Sequence, residues 1–209
     1  MSQLFKAWNR NKSLGKKPPL EWDQVQAIKT ALVKLGTTRD RALFALAIDS
    51  SLRGHDLLQL RRRDICGPDG ILGQIRVRPS KTKETTGKAV VFEPLPYTQQ
   101  LLHELIEEED ISWDGFLFVR TQKVAGNRPA LSERAYQNLV KKWVSYIGLN
   151  PELYGTHSLR RTRPAHIYRN TGNLRVCQVI LGHASITNTQ EYLGIEENEA
   201  LEISRKFAF

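Results

Sequence analysis

The chain predicts an α+β domain that is mainly helical and carries a small antiparallel sheet, on three observations. Apolar residues recur at helical spacing from Trp22 through Val25, Ile28 and Leu32 to Leu35. Two short β-forming runs, Ile75 with Val77 and then Val90-Val91-Phe92, flank a polar stretch whose turn residue is Gly87. Towards the C-terminus further helical segments follow, punctuated by Gly172 and Gly182. A length of 209 residues suffices for one substantial domain with a real core, and that core needs no disulfide staples.

Taken in order, Met1 to Pro18 is polar and basic and reads as a flexible arm, so the expected division is an arm over 1–18 and one domain over 19–209. Gly36 should stop the first helix. A second starts with Thr37-Thr38 as its cap, carries Leu43, Phe44, Leu46 and Ala47, and breaks around Ser50-Ser51, so that Arg53 sits in the break. His55 to Leu60 is a short apolar helix. The two strands make a hairpin through Ser80 to Lys88, which places Lys81 on a mobile turn. Thr98 to Glu109 is a helix with Leu101, Leu102 and Leu105 as its core face, and Phe116 to Val119 is a short strand. Ser132 to Gly148 is a long helix whose cap lies at Leu131 or Ser132, since Glu133 misses the capping-box position. Two more helices cover Ser158 to Asn170 and Leu174 to Leu181.

Composition bounds the function. A formal charge of +9 raises the prospect of a polyanionic partner, because Lys and Arg release condensed counterions when they meet phosphates. Cys66 and Cys177 have no partner spacing and read as small buried residues of a reducing compartment. The longest apolar stretches, such as Ala42 to Ile48, are too short to cross a bilayer, so a cytoplasmic, nucleoid-associated protein without a membrane partner is expected.

Four separated stretches supply groups that suit a phosphodiester: Ser51-Leu52-Arg53 with Asp56, Ser80-Lys81-Thr82-Lys83, His157-Ser158-Leu159-Arg160, and Leu181-Gly182-His183 followed by Tyr192. Guanidinium groups are planar, stay charged and pair with phosphate oxygens, which suits Arg53 and Arg160 to the non-bridging pair. His157 and His183 are candidates to donate to the same oxygens or to manage a proton. Tyr192 is a natural nucleophile, since a phosphotyrosine stores the energy of the broken bond for resealing. Its phenol, with an ordinary pKa of about 10, needs neighbouring cations or a base. Lys81 is placed to protonate a leaving oxygen.

The order Arg, Lys, His-x-x-Arg, Leu-Gly-His, Tyr resembles the active site of the tyrosine recombinase (phage integrase) family over roughly Leu20 to the C-terminus. The resemblance implies that family's catalytic domain and a site-specific DNA recombinase that forms a 3′-phosphotyrosine and a free 5′ hydroxyl without cofactor, metal or ATP. Arg53, Lys81, His157, Arg160, His183 and Tyr192 are then the catalytic set, and Asp56 supports it. It also implies double-stranded DNA as partner, a homo-oligomer on that DNA, and accessory DNA-bending proteins. The alternatives are a type IB-like topoisomerase or resolvase, or a catalytically idle DNA-binding regulator.

Each residue alone has a plainer role: Arg53 as a helix-junction cap, Lys81 as one of three solvated turn lysines, Tyr192 as a half-buried helix aromatic. Together they fall into one ordered pattern, which incidental surface charge does not produce. Arg61, Arg62, Lys83, Arg161 and Arg163 would ordinarily be solvated and are candidates for DNA-backbone contacts. Leu201, Ile203, Phe207 and Phe209 give the tail 193–209 an amphipathic face that either docks on a neighbouring protomer or packs on its own core. Two residues depart from the family pattern: Ser51 stands where a glycine is usual, and Arg163-Pro164 where an apolar residue is usual. Pro164 requires that the helix start close to Ser158 to Arg161, or that it kink. Members usually carry a preceding helical domain, so the chain is expected to be either a short member or a fragment.

Overall fold

The computed structural model describes residues 17–80, 89–120 and 128–193. Lys81, Lys83 and the tail lie outside them, as does all but the end of the basic arm.

Helix α1, Trp22–Leu35, buries Val25, Ile28 and Leu32. Its entry is fixed by the Glu21 N–H donating to Gln24 Oε1 at 2.9 Å. It stops at Gly36, whose N–H bonds the Leu32 carbonyl at 3.0 Å. Helix α2, Thr38–Ser50, opens on Thr37, whose hydroxyl accepts from the Asp40 N–H at 3.2 Å. From Ala42 to Ser50 every α2 residue is buried, because helices from before and after it in sequence pack around it. After Ser50 the backbone turns through Ser51 in the left-handed region (φ 50°). That turn delivers Arg53 to the start of α3, Gly54–Leu58.

Helix α4, Arg62–Ile65, leads into a tight hairpin of β1, Cys66–Gly67, and β2, Gly70–Ile71. Strands β3, Ile75–Val77, and β4, Val90–Phe92, pair antiparallel with Ile75 opposite Phe92 and Val77 opposite Val90. Helix α5, Pro96–Glu108, has proline in its first turn, where no N–H is missed. Its cap comes from α2: the buried Asp49 carboxylate accepts from the Leu95 N–H at 2.9 Å and the Thr98 hydroxyl at 2.6 Å. Helix α6, Glu133–Ser145, is followed by a 3-10 turn at Pro151–Leu153 and then by α7, Thr156–Thr171, α8, Leu174–Leu181, and α9, Ile186–Leu193. Around α2 gather α1, α5 and α7, and Phe44 meets Trp143 of α6 edge-on, ring centroids 5.7 Å apart.

Four expectations are changed or narrowed. Phe116 to Val119 is no strand: it makes only isolated bridges, Phe116 to Arg61 and Val119 to Ala130. The α6 cap is Ser132, whose hydroxyl accepts from the Ala135 N–H at 3.2 Å. Cys177 is buried, but Cys66 is only half-buried. Pro164 lies in the interior of α7, whose first turn is Thr156 to Ser158. The i−4 carbonyl there belongs to Arg160 and gets no helical N–H from Pro164.

Candidate functional site around Tyr192

Three chain breaks converge on one place. A Cβ added to Gly54 would stand 3.5 Å from Thr156 and from the Tyr136 ring, so the start of α3 and the start of α7 touch, which sets Arg53 beside the first turns of α7. Behind α8, Gly182 has φ 64° and an added Cβ would lie 2.7 Å from Val90, so only glycine permits this turn against β4. The turn hands His183 to the same region, and α9 brings back Tyr192.

Arg160 is 3% exposed. One of its nitrogens, Nη2, donates to the Leu181 carbonyl at 2.8 Å. The other, Nη1, is buried with no hydrogen bond among the described residues, and so is Nη1 of Arg53. Two buried guanidinium nitrogens without acceptors are a costly arrangement in a folded protein unless an anion completes it. Burial pushes the Arg160 guanidinium below its ordinary range, Tyr192 pulls it back, and Arg53 depresses it further. Mutual influence of this kind places Arg53, Arg160 and Tyr192 in one cluster.

The His183 ring meets the Tyr192 ring edge-on, centroids 5.1 Å apart. Burial, reinforced by Arg160 and Arg53, pushes the imidazole down to about 4, so it is neutral at pH 7. The Thr189 hydroxyl donates to the Ser185 carbonyl at 3.3 Å, which leaves it to accept from His183 Nδ1 at 3.1 Å. Assigned from that network, the proton sits on Nδ1 and the free lone pair on Nε2. The turn itself is tied to α8 by Gln178 Nε2, which donates to the His183 and Ala184 carbonyls at 3.2 Å each.

The Tyr192 hydroxyl is buried. Arg160 and Arg161 stand beside it and lower its pKa, although neither reaches hydrogen-bond geometry at the oxygen; burial is the larger effect and leaves the phenol above its ordinary value. Asp56 reaches in another direction. Its Oδ1 accepts from both the N–H and the hydroxyl of Ser80, each at 2.9 Å, at the residue that immediately precedes Lys81. His157 is exposed in the first turn of α7, at the positive end of the helix dipole, which favours an anion.

Of the residues read as DNA contacts, Arg161 is not at the surface. It is 6% exposed, with its guanidinium 4.4 Å from the Tyr192 ring centroid. Arg163 donates to the Asp49 carbonyl at 2.8 Å. Arg62 donates to the Ile111 carbonyl at 2.9 Å, and Arg61 stacks 3.9 Å from the Phe116 ring. A basic cleft of about 420 Å³ does adjoin His183, and Arg76, Arg78 and Arg175 line it. The sequence pattern offered no means of singling these three out among the chain's arginines, since their proximity comes only from the packing of α8 on the β3–β4 hairpin.

Fold and site together define a domain that holds a half-buried tyrosine, its hydroxyl buried, among cations suited to a phosphoryl group. The chain belongs to the Phage integrase family, whose description matches residues 19–199. It is 32% identical over 178 residues to the Bacillus subtilis protein named "Probable integrase/recombinase YoeC", covering 84% of this chain and 88% of that protein. It is 31% identical over 169 residues to tyrosine recombinase XerC of Nitrobacter winogradskyi, covering 80% of this chain and 49% of that one. The chain thus spans about half the length of that relative. The fold matches the crystal structure of XerA recombinase with a TM-score of 0.70 at 20% identity, over 94% of this chain and 66% of that one. XerH site-specific recombinase bound to a palindromic difH substrate matches equally, with a TM-score of 0.70 over 94% of this chain and 55% of that one. Among the described residues no helix is long and apolar enough to cross a membrane.

Proposed function

We propose that the chain acts as a site-specific DNA recombinase that cuts and rejoins double-stranded DNA through a 3′-phosphotyrosine. The observation that carries this reading is the cluster of Arg53, Arg160, His183 and Tyr192, in which the phenol hydroxyl is buried and two guanidinium nitrogens lack an acceptor among the described residues. A phosphodiester supplies what they lack: its non-bridging oxygens take the open positions of Arg53 and Arg160, and the charge that builds there in the transition state is stabilised most. The Tyr192 oxygen attacks phosphorus and the bond to the 5′ oxygen breaks. The phenolic proton passes to the free Nε2 of His183, and Lys81 gives a proton to the departing 5′ oxygen. His157 adds a donor at the start of α7. Because the new bond is a phosphodiester, the reverse attack by a 5′ hydroxyl reseals the strand with no input of ATP.

The basic cleft beside His183 supports DNA as the substrate, since its three arginines suit the backbone on either side of the reacting phosphate. The relatives named as XerC and XerH support the same reading. A protein of this kind works in the cytoplasm on nucleoid DNA, as a dimer to tetramer assembled on paired sites, with DNA-bending partners where the sites must be brought together.

Covalent trapping tests the reaction. With nicked suicide duplexes, the native protein is expected to give a protein–DNA adduct on a denaturing gel, and Tyr192→Phe none. An adduct that persists in Tyr192→Phe, or DNA binding with no adduct at all, would overturn the mechanism.

A further inference from the structure

We propose that Arg161 is a positioning residue for the nucleophile, one that ties the stance of Tyr192 to the backbone at the point where the chain enters the domain. This inference rests on the reading of Tyr192 as the attacking group. Arg160 and Arg161 are consecutive on α7 and so project about 100° apart around the helix. They therefore meet Tyr192 from different sides. Arg160 is the more distant, 5.7 Å from the ring centroid, and keeps one nitrogen open. Arg161 is closer, at 4.4 Å, within the range in which a guanidinium is held by an aromatic face. Its Nη1 is engaged elsewhere, donating to the Lys17 carbonyl at 2.8 Å.

That carbonyl belongs to a segment fastened along α7 by several bonds. The Leu20 N–H donates to the Thr162 hydroxyl at 3.1 Å, His166 Nε2 lies 3.2 Å from the Leu20 carbonyl, and Arg169 pairs with Glu21 at 2.6 Å. Residues 17–21 and the nucleophile thus share one buried side chain, and a shift of the entry segment is felt at the Tyr192 ring. A residue serving only to hold the entry segment would not need to lie against the tyrosine. Arg161 does both: it donates to the Lys17 carbonyl and lies against the Tyr192 ring. Among the described residues, the charged and titratable groups that face the phenol are Arg160 and Arg161 from α7 and His183 from the end of α8, while Arg53 acts on it through Arg160 and His183.

The test uses the full chain on a suicide duplex with a bridging 5′ phosphorothiolate, whose sulfur leaves without needing a proton, so that the rate reports attack alone. Single-turnover adduct formation is followed against pH for the wild type, Arg161→Ala and Arg161→Lys. Arg161→Ala is expected to react about 100-fold more slowly, the scale of loss for a reacting group misplaced by about an ångström. DNA affinity should not fall in parallel, and the rising limb of the profile should move to higher pH, because one cation has left the phenol. Arg161→Lys should hold the limb near its wild-type position while recovering only part of the rate, since an ammonium has no planar face to stack. Both variants matching the wild type in rate and profile would overturn the proposal. So would a loss that tracks thermal stability with no displacement of the profile. If Arg161→Ala fails to fold, the rate and profile of Arg161→Lys decide alone. A wild type that forms no adduct sensitive to Tyr192→Phe instead refutes the reading on which the proposal stands.

Discussion

Helices α2 and α7 are both buried, but for opposite reasons. Helix α2 is covered by apolar neighbours, and its polar groups are satisfied: Asp49 caps α5 and Asp40 meets the Thr37 cap. Helix α7 buries Ser158, Arg160, Arg161 and Thr162, and around it lie polar atoms with no partner among the described residues, on Arg53, Asp56, Arg160, Arg161 and Tyr192. A domain keeps such atoms only when something else holds it together, because each carries a desolvation cost of about 1–3 kcal/mol. Stability is concentrated around α2 and reactivity around α7.

The division can be broken by exchanging its terms. Arg160→Ala is expected to slow adduct formation by about 10²–10³-fold, the usual cost of one lost transition-state donor. Phe44→Ala, by contrast, should cost about 3–5 kcal/mol in denaturant unfolding and leave the rate per folded molecule unchanged. If the Phe44 variant, corrected for its folded fraction, is as slow as the Arg160 variant, scaffold and site are one cooperative unit and the contrast fails.

A smaller effect sharpens the picture from the site's side. His183 has its folded pKa pushed down to about 4 against an ordinary 6.5. Between these values the unfolded chain binds a proton that the folded chain refuses. Its contribution is therefore complete above about pH 6.5 and drains away as pH falls towards 4. Urea unfolding at pH 7 and pH 5 should show the native protein losing more stability than His183→Gln; parallel losses would mean that the ring is not held neutral.

Smallest is the junction between the two regions. Ser51 has φ 50° and a buried hydroxyl without a hydrogen bond among the described residues. Ser51→Gly relieves both and should raise stability by about 1 kcal/mol by equilibrium unfolding. A loss of stability instead would assign the hydroxyl a role.

The same residues show what a linear reading can reach. Helices α1, α2, α5 and α8 were legible because caps, periodicity and glycine stops are local signals, and the β3–β4 hairpin followed from two short runs and a turn. Ser51, noted only as standing where a glycine is usual, proves to occupy a left-handed position. Arg161 escaped because burial of an arginine depends on which aromatic arrives from α9, thirty-one residues later. Asp49 escaped for a similar reason: its carboxylate caps a helix that starts at Pro96, and no spacing rule links the two. Pro164 was expected either near a helix start or at a kink, and its place inside α7 removes the first of these. Phe116 to Val119 has strand composition but finds only single bridges on either side.

The clasp between Asp56 and Ser80 bears on where the chain can go beyond β3. Successive Cα atoms are about 3.8 Å apart, so a residue bonded directly to a pinned neighbour has little territory of its own. Ser80 is pinned in this way to the acid three residues after Arg53, and Pro79 and Arg78 before it are held close to that anchor. The carboxylate thus acts by geography, mooring the chain beyond β3 to the short helix that Arg53 opens.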